Sequence, residues 1–119
     1  MLRFMLKSKI HRATLTGTEL HYEGSIAIDR DLMEAADLLP GEQVHVLNVS
    51  NAQRLITYVI EAPAGSGTVV LKGPAARLGV AGDKVVIVAY GAVTEDEAGR
   101  LRPKVIHVDE HNRPRPPLC

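Results

Sequence analysis

The pair Gly24-Ser25 is the part of this sequence where the order of residue types permits an unusual reaction. A serine hydroxyl can attack the carbonyl carbon of the preceding residue and move the acyl group from nitrogen to oxygen. Glycine before the serine removes a Cβ clash and allows the strained backbone that this attack needs. The ester can then undergo β-elimination, and the remaining dehydroalanine hydrolyses to a pyruvoyl group. The pair permits self-cleavage without proving it, because Gly-Ser is most often a turn, as we expect for Gly65-Ser66.

Other common catalytic and ligand-binding patterns are absent from the sequence. The run 73–77 contains a glycine but lacks the Gly-Lys-Ser/Thr ending of a phosphate-binding loop. The five histidines (11, 21, 45, 107 and 111) do not have the spacing of metal ligands, so we expect no metal site. A hydrolase triad would lack its Gly-x-Ser-x-Gly turn. Gly24-Ser25 is therefore the signal on which a functional hypothesis can be built.

Composition predicts a single small domain with an aliphatic core. The chain has 119 residues, of which 45% are hydrophobic but only 3% aromatic, so Val, Leu, Ile and Ala must provide the burial. A domain of this size buries roughly two-thirds of its unfolded surface, and oligomerisation would supplement its stability. Lys plus Arg and Asp plus Glu both number 14, so no net positive field attracts nucleic acid. A nucleic-acid-binding barrel is the weakest hypothesis.

Local charge and cysteine content add weaker indications. The first 12 residues carry four basic side chains and no acidic one, which suits either an anionic small molecule or an ordinary solvated face. Cys119 is the single cysteine, so an internal disulfide is excluded and a reducing cytoplasm is favoured. No apolar run approaches the roughly 20 residues that span a bilayer, and charges interrupt the first ten residues too often for a signal peptide. We expect a cytoplasmic protein without a membrane segment.

Short apolar, β-branched runs separated by turn residues predict an all-β protein. Candidate strands lie at 14–16, 25–28, 43–49, 54–60, 68–71, 84–89 and 104–108. Turn residues stand between them at 50–51, 63–67 and 81–83. Such strands are typical of a closed barrel or a sandwich. Residues 1–110 are predicted as one domain, and residues 111–119, with three prolines and little to bury, as a mobile tail.

One helix and two single turns interrupt the predicted strands. Asp31 and Glu34 are spaced as a capping pair, and a helical stripe of apolar residues follows until Pro40-Gly41 ends it. Single helical turns are predicted at 74–78 and 95–99.

Several blocks of the sequence have the residue types, order and spacing of one known family. These blocks lie at 7–14, 20–25, 27–32, 35–36, 51–58, 65–67 and 82–87. The most specific of them is Leu20-His21-Tyr22-Glu23-Gly24-Ser25, which contains the candidate cleavage site. Over about residues 1 to 110 the chain resembles the pyruvoyl-dependent aspartate 1-decarboxylases of bacteria.

The resemblance implies a fold, a modification and an activity. The implied fold is a six-stranded double-psi β-barrel that assembles as a homotetramer. Self-cleavage after Gly24, with or without a maturation factor, would give chains of residues 1–24 and 25–119. Ser25 would become a pyruvoyl group that carries the substrate as a Schiff base. The implied reaction is decarboxylation of L-aspartate to β-alanine and CO2 for pantothenate synthesis.

Further residues match positions that have roles in the family. Lys9 and Arg54 match those that bind the two substrate carboxylates. Tyr58 matches the proton donor, and Thr57 matches a hydroxyl that supports the acyl shift. His11 and Tyr22 match residues that line the cleavage and substrate region. Gly73 and Ala75 match the loop that approaches the substrate with its backbone. Without the resemblance, Lys9 and Arg54 would be read as surface charges, and Thr57 and Tyr58 as ordinary strand residues.

One position departs from the family pattern. The family usually has asparagine at residue 72, where this chain has Lys72, so an amide donor and acceptor is replaced by a flexible cation. The lysine could slow processing, change the preferred acid or point outward without effect. Two alternative functions therefore stay open. One is an unprocessed, non-catalytic dicarboxylate-binding homologue on the same barrel, and the other is a pyruvoyl decarboxylase of another acidic amino acid.

Overall fold

Residues 1–115 of the chain are described by the computed structural model, which consists mainly of β-strands. The strands are β1 (Leu2–Thr14), β2 (Gly17–Glu19), β3 (Ser25–Asp29), β4 (Gln43–Asn48), β5 (Arg54–Ala62), β6 (Val69–Lys72), β7 (Lys84–Thr94), β8 (Lys104–Val108) and β9 (Pro114–Arg115). The helices are α1 (Arg30–Ala35), α2 (Glu95–Ala98) and a 3-10 helix (Gly73–Leu78). Strands account for 50% of the structure, so the all-β prediction is confirmed. None of the helices in these residues is long and apolar enough to cross a membrane.

The nine strands of the described chain form one hydrogen-bonded ladder in the order β2-β6-β3-β5-β4-β7-β1-β8-β9. Strand β3 lies between β6, to which it is antiparallel, and β5, to which it is parallel. Strand β1 lies between antiparallel β7 and parallel β8. Three strands therefore separate β1 from β3 in the ladder. The implied six-stranded double-psi barrel stays a prediction.

The core is aliphatic, as the composition predicted. Its largest fully buried side chains come from most of the long elements: Ile10, Leu15, Ile26, Ile28, Leu32, Met33, Leu71, Ile87, Val44, Val46, Val59 and Val69. Each such side chain stabilises the fold by about 1.5–3 kcal/mol relative to an exposed one. Strand β3 is buried along its whole length, which places the candidate cleavage residue at the edge of this core.

The first strand is much longer than the sequence predicted. The candidate strand at 14–16 is wrong, because β1 occupies residues 2–14 and a new strand begins only at Gly17. Register shifts between Leu6 and Ser8 and between Ile10 and Ala13 interrupt the pairing of β1 with β7, and Arg12 has a φ of 59°. Bulges of this kind break the two-residue alternation on which strand prediction depends.

The helix begins earlier and ends earlier than predicted. Its N-cap is Asp29, whose Oδ1 accepts a hydrogen bond from the Asp31 amide at 2.8 Å, so the predicted Asp31–Glu34 capping pair is wrong. The Asp29 carboxylate also accepts the Gly65 and Gly67 amides at 3.0 and 2.8 Å. It therefore joins α1 to the predicted turn at 63–67. The two single turns predicted at 74–78 and 95–99 are confirmed by the 3-10 helix and α2.

Residues 111–115 are attached to the body of the protein and differ from the predicted tail. Asn112 is 1% exposed, and its Nδ2 donates to the carbonyls of Thr14 at 2.8 Å and Gly67 at 2.9 Å. Its Oδ1 accepts the Thr14 amide at 2.8 Å, and β9 pairs with β8. The Asn112 side-chain amide takes the place of a backbone hydrogen-bond partner, and hydropathy does not reveal this role. The rest of the predicted tail, with Cys119, lies outside the described residues.

Candidate active site

Ser25 is the first residue of β3 and is completely buried. Its hydroxyl donates a hydrogen bond to the carbonyl of Glu23 at 3.3 Å. The Ser25 hydroxyl is thus held at the Glu23 carbonyl, which is one residue before the Gly24 carbonyl. A buried serine in this position can react with its own backbone far more readily than with bulk solvent.

Gly73 makes the closest approach to the Gly24-Ser25 region. Its φ is +69°, and a Cβ at this position would lie 2.6 Å from the Tyr22 carbonyl oxygen and 2.7 Å from the Gly24 nitrogen. Only glycine fits both the conformation and the space. At Gly24 itself a Cβ would meet Pro74 Cδ at 3.5 Å, an ordinary contact. Of these two glycines, Gly73 therefore has the stricter steric requirement, whereas the sequence had indicated Gly24.

A cavity of about 440 Å³ opens beside Gly24. It brings together four of the predicted site residues, Gly24, Thr57, Tyr58 and Ala75. Strand β5 supplies Thr57 on its inner side and Tyr58 on its outer side, because alternate residues of a strand face opposite ways. The remaining wall is apolar and consists of Leu55, Ile56, Pro74 and Leu78. The cavity has room for a small amino acid, and two hydroxyl-bearing residues, Thr57 and Tyr58, are in its lining.

Arg54 begins the same strand but does not line this cavity. Its Nη2 lies 3.2 Å from His45 Nδ1 and 3.3 Å from the Tyr90 hydroxyl. No described carboxylate forms an ion pair with it, so its charge can still serve an anion. His45 and Tyr90 also line a second cavity of about 490 Å³. They belong to β4 and β7, and no spacing in the sequence could have associated them with Arg54.

Lys9 and His11 are separated from the strand of Ser25 by three strands in the order of the sheet. They lie on β1, where their partners are in β7 and β8. The His11 ring packs edge-to-face on His107 with 5.6 Å between centroids, and its Nδ1 is buried without a hydrogen-bond partner in the described chain. Burial lowers the pKa of His11 below its usual value, and Lys9, His107 and Arg12 lower that pKa further by charge repulsion.

The last two predicted residues, Lys72 and Tyr22, contact each other. Lys72 Nζ lies 4.1 Å from the centroid of the Tyr22 ring and 3.2 Å from a carboxylate oxygen of Glu19. Lys72 therefore does not point freely outward, although the sequence had allowed this. Among residues 1–115, no group of three His, Cys, Asp or Glu side chains is arranged to hold a metal ion.

The chain thus falls in the class of mainly β proteins, with a half-buried Gly24 and a buried Ser25 beside a small cavity. Comparison with known sequences identifies the family within that class. A sequence model of the family described as aspartate decarboxylase matches residues 1–115. The chain belongs to the aspartate decarboxylase family.

Individual relatives agree with the family match. The aspartate 1-decarboxylase of Dehalococcoides mccartyi is 59% identical over 109 residues, covering 92% of this chain and 88% of the relative. That of Thermoanaerobacter pseudethanolicus is 54% identical over 114 residues, covering 96% and 97%. Aspartate 1-decarboxylase 1 of Gloeobacter violaceus is 58% identical over 113 residues, covering 95% and 96%. The resemblance seen in the sequence blocks is confirmed and extends over nearly the whole chain.

Proposed function

We propose that this chain cleaves itself between Gly24 and Ser25 and then decarboxylates L-aspartate to β-alanine and CO2. The observation that carries the proposal is that the buried Ser25 follows Gly24, and that Gly24 lines a cavity together with Thr57 and Tyr58. The family and the relatives, which are called aspartate 1-decarboxylases, supply the substrate.

The proposed cleavage uses only groups of the chain and one water molecule. Ser25 Oγ attacks the carbonyl carbon of Gly24, the C–N bond breaks, and an ester forms with a free amino group at residue 25. Loss of the Cα proton of residue 25 then breaks the Cβ–Oγ bond, and Gly24 leaves as a carboxylate. The dehydroalanine takes up water and releases ammonia. Thr57, whose side chain lies in the same cavity, would stabilise the oxyanion of the first step.

The residues around Ser25 fit a pyruvoyl group. Position 25 is completely buried, and the glycine at 73 leaves space for backbone close to the cut. A pyruvoyl group supplies a ketone that accepts an amine and an electron sink for decarboxylation. Tyr58, 37% exposed at the cavity wall, would hold the proton that replaces the lost carboxylate. The apolar wall would limit the access of competing water.

We further propose a homotetramer in which a neighbouring subunit completes the substrate site. Aspartate has two carboxylates, and Arg54 and Lys9 are the cations assigned to them. Three strands separate the strand of Lys9 from that of Ser25 within one chain. Phe4 is 82% exposed and lines the second cavity with Tyr90, so this apolar surface suits burial against another subunit.

The wider context is also part of the proposal. β-Alanine would serve pantothenate synthesis in the cytoplasm, which the single cysteine favours. The proposed maturation takes place with or without a maturation factor, and one experiment separates the two cases. A maturation factor would be inferred if purified precursor stayed uncut while a cell extract cut it.

Intact mass and substrate assays test the proposed function together. The purified, denatured protein should give two masses, residues 1–24 and a larger chain that lacks a free N-terminal amine. The cut protein should then release CO2 from L-aspartate. A single uncut mass would favour the non-catalytic dicarboxylate-binding alternative. Faster release of CO2 from another acidic amino acid would favour the second alternative.

A further inference from the structure

Lys72 occupies a central place beside the segment that contains the proposed cut. Strand β6 ends at Lys72 and lies between β2 and β3. The parallel pairing with β2 places Lys72 opposite Glu19, and the antiparallel pairing with β3 places it opposite Ser25. Both ends of the segment 20–24 are therefore fixed to the same residue of β6.

Besides these two strand pairings, the side chain of Lys72 makes contacts with the segment and with Glu19 before it. Its ammonium group is 3.2 Å from Glu19 Oε2 and 4.1 Å from the centre of the Tyr22 ring. The Lys72 side chain is only 17% exposed, whereas that of Glu19 is 57% exposed. A largely buried cation thus has one carboxylate and one aromatic face as its partners, which satisfies its charge.

The segment 20–24 has little else to hold it. It contains no strand or helix, and Leu20 and Tyr22 are 39% and 54% exposed. Its other close contact is the approach of Gly73 to Tyr22 and Gly24. Because the Ser25 hydroxyl is bonded to the Glu23 carbonyl, a small shift of this segment determines whether it meets the Gly24 carbon instead.

We propose that Lys72, Glu19 and Tyr22 form a positioning cluster that sets the segment 20–24 for self-cleavage. The inference rests on the proposed function and adds residues to it that do not take part in the bond changes. Glu19 pairs with the ammonium group of Lys72, and the contact of that group with the Tyr22 ring holds the segment two residues before Gly24. In this chain the cluster stands where the family has an asparagine amide.

The test follows the cutting of freshly made full-length precursor by intact mass over time. Three variants remove one member each: Lys72→Met, Glu19→Gln and Tyr22→Leu. We expect each to slow cutting about three- to tenfold, the range for losing a cation–π contact or a part-buried ion pair. The double variant Glu19→Lys/Lys72→Glu restores the pair in reverse and should cut faster than either charge-reversed single variant. Lys104→Met, an exposed lysine on β8, is the matched control and should cut at the parent rate.

Each outcome separates the positioning cluster from the proposed function. If the parent cuts after Gly24 and all three variants cut at its rate, the cluster is overturned and the proposed function stands. If the parent never cuts there, the proposed function is overturned as well. A melting temperature measured for every precursor identifies loss of folding. If Lys72→Met fails to fold, the more exposed Glu19→Gln and Tyr22→Leu decide, because their unchanged rates would overturn the cluster.

Discussion

Two regions of the molecule that carry predicted site residues differ in nearly every physical respect. In the region around Ser25, formed by β2, β6, β3 and the 3-10 helix, Ser25 is buried, Gly73 has no room for a Cβ, and the cation Lys72 has a carboxylate partner. The region around His11, formed by β1 and β8, opens on a cavity of about 340 Å³ lined by several basic residues and contains an imidazole nitrogen without a hydrogen bond.

This difference indicates a division of work. Self-cleavage would need exact placement of backbone atoms, which the close approach of Gly73 to Tyr22 and Gly24 can provide. Binding of a dicarboxylate would need positive charge near an accessible surface, and the cations proposed for it are Arg54, at the start of β5, and Lys9, on β1. Variants of the first region should therefore change cutting, and variants of the second should change only the reaction of the mature enzyme.

The largest effect is expected from Gly73→Ala, which should stop cutting nearly completely. The new Cβ would lie 2.6 Å from the Tyr22 carbonyl and must push the segment away from Ser25. Gly82→Ala is the matched control, because Gly82 has a φ of +96° but no atom within 4 Å of an added Cβ. Both variants carry about 1–3 kcal/mol of backbone strain, but only the first should remain uncut by intact mass. Normal cutting of Gly73→Ala would contradict the steric account.

Arg54→Lys should affect the mature enzyme and leave cutting unchanged. Loss of the bidentate guanidinium should raise KM for aspartate roughly 10- to 100-fold, because a hydrogen bond to a charged group contributes about 1.5–3 kcal/mol. Initial-rate kinetics measures KM, and intact mass checks cutting. Arg102→Lys, at an exposed arginine whose Nη1 donates to the adjacent Leu101 carbonyl, should keep the parent KM. Slower cutting of Arg54→Lys would break the division between the two regions.

Asn112→Ala should weaken the connection between the regions without changing either chemistry. The Asn112 amide joins Thr14, at the end of β1, to Gly67, which precedes β6. Leaving these buried groups unpaired should lower the free energy of unfolding of the precursor by about 1–3 kcal/mol in a denaturant titration. Asn51→Ala, which removes an exposed amide with its own hydrogen bonds, should lower it less. Equal losses would show that burial of Asn112 is unimportant.

The smallest effect concerns the pH dependence of stability. The folded pKa of His11 is lowered from 6.5, so the unfolded chain binds the proton first as the pH falls. The His11 contribution to the free energy of unfolding is therefore constant above 6.5 and decreases as the pH falls through this value towards the folded pKa. Melting temperatures across this window should fall less steeply for His11→Gln than for the parent. An unchanged slope for His11→Gln would contradict the assignment.

The sequence predicted well what depends on residue type and short spacing. The strands at β4, β5, β6, β7 and β8, the two single helical turns and the family blocks all rest on local patterns, and all were found. Thr57, Tyr58 and Gly24, which the family resemblance had associated, line one cavity, and their roles stay predictions.

The failures have a common physical cause, which is that the deciding partner is far along the chain. Bulges against β7 and the positive φ of Arg12 interrupt the strand pattern of β1, so its full length was not predicted. The turn at 63–67 made Asp29 the helix cap, and Thr14 and Gly67 fixed Asn112. The contacts of Lys72 with Glu19 and Tyr22 depend on strand register, which a single sequence does not contain.

The position of β1 between β7 and β8 has a consequence for the lifetime of the mature protein. After the proposed cut, residues 1–24 supply this interior strand and the edge strand β2 while no peptide bond joins them to the rest. Unfolding then releases two molecules, so the folding equilibrium depends on protein concentration. The lost serine prevents the chain from being rejoined. At low protein concentration, slow unfolding would therefore be what prolongs the lifetime of the cut protein.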